Sequence, residues 1–206
     1  AMGYASQENG RFNLTPKILT LGFSFLRSSE IGDRVNPILR KASNAMRETC
    51  SLGLPSGTDM VYVAHAICED RLFSTRFTIG ARLPMAATAI GRAYLAFSTE
   101  AQRAAILEDL VAGGDADERE AGDAAGVAAL VEHTRERGYA VSDREFVPTI
   151  RAAAVPVMHH GRVLCAFNLI ALAQAVPLAT FEDTYIPMLK EARARIEAAL
   201  SEAGDA

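Results

Sequence analysis

The feature that most constrains the fold is a change in apolar spacing that occurs four times along the chain. Ile18, Leu21 and Phe25, flanked by Leu19, Gly22 and Leu26, and then Val35, Ile38, Leu39, Ala42 and Met46, recur at three and four residues. That is the repeat of one helix face. Thr15-Pro16 offers an N-cap and a first-turn proline, so a first helix is expected over about 15–28, and Ser28 to Gly32 separates it from a second. From Ser51 the spacing becomes that of strands: Ser51 to Pro55 and Met60 to Ile67 are short β-rich runs joined at Ser56-Gly57-Thr58-Asp59. Leu72 to Ile79 alternates strictly and predicts a third strand, with Arg76 on the face of Leu72, Ser74 and Thr78. After a loop marked by Gly80 and Pro84 the helical spacing returns over Thr88 to Phe97, Thr99 to Leu110 and Val127 to Arg137, the second opened by a Thr99/Gln102 capping box and the third closed by Gly138. Tyr139 to Phe146 and Ile150 to Ala171 then supply three strands, the last two turning at His159-His160-Gly161-Arg162. The chain ends on a helix carrying Ile186, Leu189, Arg193, Ile196 and Leu200, in which Pro187 implies a late start or a kink.

Strand groups with hairpins inside them, separated by helices, predict an α+β fold: an antiparallel sheet flanked by helices. The length of 206 residues suits one full domain and a short extra segment. The apolar fraction of 50% and the charged fraction of 22% are those of a folded globular chain.

Several function classes are excluded or weakened. The longest apolar run, Leu164 to Ala173, is interrupted by Asn168 and is far shorter than the ~20 residues a membrane span needs. The N-terminus carries no secretory signal pattern, and the spacing of Cys50, Cys68 and Cys165 fits neither a disulfide framework nor a metal knuckle. Reduced core thiols in a cytoplasmic protein are expected. Residues 11–47 hold seven basic side chains against Glu30 and Asp33, so the main body is acidic and only the N-terminal quarter is suited to lie near phosphates.

Catalytic motifs are missing: there is no Gly-x-Ser-x-Gly elbow, phosphate-binding loop, His-Glu-x-x-His or dinucleotide fingerprint. His159 and His160 suit a turn, His65 a core imidazole, and His133 a solvated helix face. Cys165 sits among apolar neighbours, as a buried thiol does, and Asp143 and Glu145 read as surface charge on an edge strand. Arg151 begins the run Arg-Ala-Ala-Ala-Val-Pro-Val, where small neighbours leave room for a planar anion. An even hairpin about His160-Gly161 puts Arg151 on the face of Ala166, Asn168 and Ile170, whereas the opposite parity brings Ala152 and Ala154 beside Asn168. Arg76 is a second candidate for holding an anion, and an ion pair with Glu145 or Asp183 is the plainer alternative for Arg151.

Arg11-Phe-Asn-Leu-Thr-Pro-Lys-Ile-Leu-Thr-Leu-Gly22, Gly80-Ala-Arg-Leu-Pro84 with Thr88-Ala-Ile-Gly-Arg92, Gly138-Tyr-Ala-Val-Ser-Asp-Arg-Glu145 and Ile150-Arg-Ala-Ala-Ala-Val-Pro-Val157, in that order and spacing, resemble the IclR family of bacterial transcriptional regulators. The likeness is strongest to the regulators of protocatechuate and β-ketoadipate pathway genes. It implies a GAF-like effector-binding domain that follows a winged helix-turn-helix and a linker helix. On that basis Ala1-Met2-Gly3 reads as a cloning remnant, residues to 14 as the end of a wing, 15–30 as the linker helix, and 31–206 as the effector domain.

The resemblance also implies an effector between the sheet and the Gly-x-Arg-Leu-Pro loop with its helix, at Thr88, Ala89, Ile90, Ser142, Ala152, Asn168 and Ile170. Ala152 and Ile170 are less polar than the matching residues in sensors of small keto acids. They point to a larger, flatter effector, an aromatic or dicarboxylic acid anchored by Arg151 or Arg76. The implied partners are that organic acid, operator DNA through a preceding domain, and a second copy of the chain in a homodimer or homotetramer. No membrane, metal or cofactor is expected. The alternative is an unrelated GAF-like sensor or a small enzyme using Cys165 or Glu145.

Overall fold

The computed structural model describes residues 2–28, 31–68, 77–112, 124–202. An exposed hairpin of β1 (Ala5–Glu8) and β2 (Arg11–Leu14) leads into α1 (Ile18–Ser28). Thr15 does not cap that helix. Its hydroxyl donates to the Gly3 carbonyl at 2.6 Å, and the chain turns through Pro16 and Lys17 before helical geometry begins. A π-helical turn, Ile31–Val35, feeds α2 (Asn36–Met46).

The central sheet contains β3 (Thr49–Ser56), β4 (Asp59–Ala66), β5 (Arg82–Pro84), β6 (Ala140–Asp143), β7 (Ile150–His159) and β8 (Arg162–Leu172). Its order is β5-β4-β3-β8-β7-β6, with every neighbouring pair antiparallel. Between β5 and β6 lie α3 (Ala89–Phe97), α4 (Glu100–Ala112) and α5 (Ala124–Arg137). After β8, a short turn and a π-helical segment, Phe181–Tyr185, lead into α6 (Ile186–Ser201), where Pro187 lies in the first turn. Pro187 therefore marks a late start, where its missing amide costs nothing.

The sheet separates two apolar cores. Leu39, Leu52, Val155, Phe167, Leu169, Phe181, Leu189 and Ile196 belong to the core under α2 and α6. Met60, Tyr62, Ala154, Ala166 and Ile170 meet Leu83, Met85, Ile90, Leu95 and Val131 under α3 and α5. Burying each large side chain contributes about 1.5–3 kcal/mol, so packing against both faces of one sheet stabilises helices that would be marginal alone.

The edge strand of the first half is β5, whose three residues the sequence reading treats as loop. The expected strand over Leu72 to Ile79 falls largely outside the described residues. Phe77 and Thr78, which are described, lie outside the sheet. The expected strand from Tyr139 to Phe146 stops at Asp143 because Arg144 takes a left-handed φ of 62°. The Thr99/Gln102 box is formed: Gln102 N–H donates to the Thr99 hydroxyl and Thr99 N–H to the Gln102 side chain.

Candidate functional site

The β7–β8 hairpin decides which side chains meet on the α3 side of the sheet. Its turn is the expected two-residue one, with His160 and Gly161 both at positive φ. A bulge then inserts Leu164, so that Val157 faces Cys165 while Met158 faces Val163. One extra residue shifts the register and exchanges the faces. Ala152 thus pairs with Ile170 and Ala154 with Asn168, whereas Arg151 pairs with Ala171 on the other face.

That register forms a small pocket, of about 30 Å3, between the sheet, the start of α3 and the loop joining β6 to β7. Thr88, Ala89, Ile90, Ser142, Ala152, Asn168 and Ile170, all singled out from the sequence, line it together. Tyr62, Leu83, Phe146, Val147 and Ile150 complete most of its wall, with Phe77 beside Phe146 at a ring separation of 6.1 Å. Tyr62 could have been found from strand alternation, since it shares the inward face of β4 with Met60. Phe146 and Val147 gave no such signal, because the loop carrying them depends on the backbone reversal at Arg144.

Each wall is held by specific contacts. Thr88 caps α3: its hydroxyl donates to the Pro84 carbonyl at 2.7 Å and accepts from Gly91 N–H at 3.3 Å. Gly91 lets that helix end approach Met85, because an added Cβ would lie 2.2 Å from the Met85 backbone. Gly53 similarly makes space for the Ile90 side chain, which lies 2.9 Å from where a Cβ would stand.

The loop bearing Phe146 is fastened by two guanidiniums. Arg92, 2% exposed, donates to Glu145 at 2.6 Å and to the Val141 carbonyl at 3.0 Å. Arg151, 4% exposed, pairs with Asp143 at 2.9 Å, donates to the Val176 carbonyl and lies over the Phe181 ring. Arg151 therefore does not line the pocket. The bulge turns it towards the α6 core, and its anion is an internal carboxylate, neither of the two weighed from the sequence. Asp143 and Glu145 are the partners of buried cations rather than plain surface charge. Arg76 lies outside the described residues.

The pocket wall among the described residues carries no charged side chain. Its polar groups are Thr88, Ser142, Tyr62 and Asn168. Asn168 Nδ2 donates to the Tyr62 oxygen at 2.7 Å, and burial pushes the Tyr62 phenol well above the usual tyrosine range. Asn168 is 2% exposed and its Oδ1 has no hydrogen-bond partner among the described residues. A buried carbonyl without a donor costs about 1–3 kcal/mol, so a donor supplied by a ligand would recover that loss.

Neither enzymatic alternative finds the setting it needs. Cys165 is fully buried, and desolvation pushes its thiol far above the range of a reactive cysteine. The Glu145 carboxylate is engaged by Arg92 and by Asp143 N–H. No group of three or more His, Cys, Asp or Glu able to hold a metal occurs among the described residues. No described helix is long and apolar enough to cross a membrane.

An apolar pocket with a few convergent polar groups, set between an antiparallel sheet and a helix N-terminus, defines a small-molecule binding domain. Residues 23–198 match the family described as bacterial transcriptional regulator IclR C-terminal, and the chain belongs to that family. It is 30% identical to the Pca regulon regulatory protein of Pseudomonas putida across 91% of this chain and 65% of that protein, and so spans just under two thirds of that relative. The crystal structure of a transcriptional regulator from Rhodococcus sp. RHA1 superposes with a TM-score of 0.82 at 32% identity, covering 97% of this chain and 79% of that one. An IclR homologue from Microbacterium hydrocarbonoxydans, solved in complex with 4-hydroxybenzoate, shares the fold with a TM-score of 0.70 at 19% identity, over 96% and 80% of the two chains. The chain thus carries the effector-binding domain of a family of transcriptional regulators.

Proposed function

We propose that this domain senses a small aromatic hydroxy acid on behalf of a cytoplasmic DNA-binding regulator, holding the ligand without converting it. The observation that carries the reading is the composition of the pocket: apolar walls from Leu83, Ile90, Phe146 and Ile170, one helix N-terminus, and one buried acceptor without a donor at Asn168. A flat ring suits the walls. The carboxylate belongs at the first turn of α3, where the amides of Ala89 and Ile90 precede the capped Gly91 and the helix dipole favours an anion by about 0.3–1 kcal/mol. The hydroxyl belongs at Asn168. Arg151 has no place in this arrangement, so the anchoring charge comes from backbone amides unless Arg76 adds to it. The 4-hydroxybenzoate bound to the Microbacterium homologue and the Pca name of the Pseudomonas relative support the ligand class.

Operator binding would reside in a winged helix-turn-helix preceding this domain, with β1 and β2 as the end of its wing and α1 as the linker. Leu19, Leu21, Phe23 and Phe25 on α1 are at least half exposed, and a second copy of the chain would cover them in a homodimer or homotetramer. Isothermal calorimetry with benzoate, 3- and 4-hydroxybenzoate, protocatechuate and succinate tests the ligand class. Saturable binding of a hydroxylated aromatic acid, with the compound recovered unchanged, is expected. Binding of succinate alone, or turnover of any of these compounds, would contradict the reading.

A further inference from the structure

The pocket is smaller than the ligand class proposed for it. Its volume of about 30 Å3 is that of one water molecule in the liquid, whereas an apolar cavity that takes up benzene measures about 150 Å3. An aromatic hydroxy acid is larger than benzene, so a wall has to move outward before the site can hold one.

The walls differ in how far they can yield. Tyr62, Asn168 and Ala152 stand on β4, β8 and β7, each of which is paired with a strand on both sides. Displacing them would break ladders on two edges. The start of α3 is seated on the Met85 backbone at Gly91 and tied to the Pro84 carbonyl by Thr88. Phe146 and Val147 belong instead to a strap, residues 144–149, that crosses from β6 to β7. Arg144, Glu145, Pro148 and Thr149 are exposed along it. Its backbone bonds lie at its base: Arg144 N–H donates to the Ile150 carbonyl at 2.9 Å, Ile150 N–H to the Val147 carbonyl at 2.9 Å, and Ala173 N–H to the Thr149 carbonyl at 3.0 Å. These bonds close the loop without holding Phe146 against α3.

Glu145 joins the strap to α3 through its ion pair with Arg92, at 2.6 Å. The two partners are unequal. The Arg92 side chain is buried and also donates to the Val141 carbonyl on β6, which fixes it in place. The Glu145 side chain is 43% exposed, so its carboxylate can swing into water with little loss of solvation. On release, Arg92 stays and Glu145 leaves. A buried cation is then without its anion, and that cost keeps the strap shut against thermal opening.

We propose that residues 144–149 are a gate over the binding site, that Glu145 is its latch on Arg92, and that an aromatic acid is held only with the latch released. The proposal rests on the ligand reading above and adds the movement that reading requires. A ligand that binds the open state works against the latch, so its apparent affinity is reduced by the fraction of molecules that are open. Glu145 does not line the pocket, and its loss removes no ligand contact. Weakening the latch should therefore tighten binding even as it destabilises the fold. A loop that only supports the pocket would lose affinity on the same substitution.

Calorimetry with 4-hydroxybenzoate on the native chain and on the variants E145Q and E145A tests the gate. Both variants should bind at least about fivefold more tightly than the native chain. Equal or weaker binding by a folded variant would overturn the proposal. The crystal structure of the native chain in complex with 4-hydroxybenzoate reads the latch even where a variant fails to fold. Separation of the Glu145 carboxylate from Arg92 by more than ~4 Å is expected. An intact pair beside the bound ligand would overturn the gate while leaving the ligand reading in force. Failure of benzoate, both hydroxybenzoates and protocatechuate to bind the native chain and both variants would remove the ligand reading, and the gate with it.

Discussion

Arg92 and Arg151 are buried cations that each depend on one partly exposed carboxylate. Removing such a carboxylate strands a charge in a low-dielectric site. Glu145→Gln should therefore lower stability by about 2 kcal/mol, and Asp143→Asn by a similar amount. Both fall short of the full penalty for a buried pair because solvent reaches the two carboxylates. Urea unfolding measures this, and a loss under about 0.5 kcal/mol would show that the fastenings of the pocket loop contribute nothing. His65 gives a pH prediction. Its folded pKa lies below the unfolded value because burial disfavours the imidazolium. Between the two values the unfolded chain binds more protons, so the contribution is intact above the unfolded pKa of ~6.5 and is lost as pH falls towards the folded value. Stability of the native chain should drop more than that of H65N between pH 7.5 and 5.5. Parallel curves would contradict the assignment. At this scale the sequence was informative about residue type and poor about direction. Thr88, Ser142, Ala152, Asn168 and Ile170 were placed in one site by resemblance, whereas the face of Arg151, a candidate anion anchor, stayed open between two hairpin parities, because a single bulge at Leu164 carries no compositional mark.

Among the elements, α3 matters most, because its N-terminus forms one wall of the pocket and its position is set by contacts at Gly91 and Thr88. Gly91→Ala puts a methyl group within 2.2 Å of the Met85 backbone, which no side-chain adjustment relieves. Overpacking of this kind costs about 1–3 kcal/mol, and the displaced helix should also lose ligand binding. Thr88→Ala removes the cap and should cost about 1 kcal/mol. Thermal melts with and without ligand separate the two effects. A Gly91→Ala variant as stable as the native chain, with unaltered affinity, would show that the close approach is not required. Helices α2 to α6 and strands β3, β4, β7 and β8 were legible because their apolar periods and turn residues agree. The three-residue β5 was not, since pairing with β4 and not its own composition makes it a strand. The hairpin of β1 and β2 was half legible: its second strand was expected as a wing remnant, while Ala5–Glu8 has no apolar pattern to signal a first.

For the whole molecule, the two cores face opposite sides of one sheet, and the pocket opens into only one of them. Asp143, the last residue of β6, and Glu145 and Phe146 just beyond it lie in one short stretch. Through Arg92 that stretch is tied to α3, and through Arg151 to the Val176 carbonyl and Phe181 ahead of α6. Ligand contact at Phe146 would therefore bear on both helical layers. The apolar face of α1 predicts association: sedimentation at micromolar concentration should show at least a dimer. Leu21→Glu with Phe25→Glu should yield a monomer that still binds ligand. A native monomer would contradict the role given to α1. The family, the α+β architecture and the sensing role were readable from motif order across the chain. The absence of a charged side chain from the described pocket wall was not, because it follows from the β7–β8 register.

The central claim is that the cavity between α3 and the sheet takes up an aromatic hydroxy acid. Backbone amide spectra of the isotope-labelled chain, titrated with 4-hydroxybenzoate, test it most directly. The account predicts saturable shifts concentrated at Ala89, Ile90, Phe146, Asn168 and Ile170, with 4-hydroxybenzoate itself unchanged at the end of the titration. Shifts confined to the exposed face of α1 or to residues around Arg151, with those five unmoved at saturation, would contradict it.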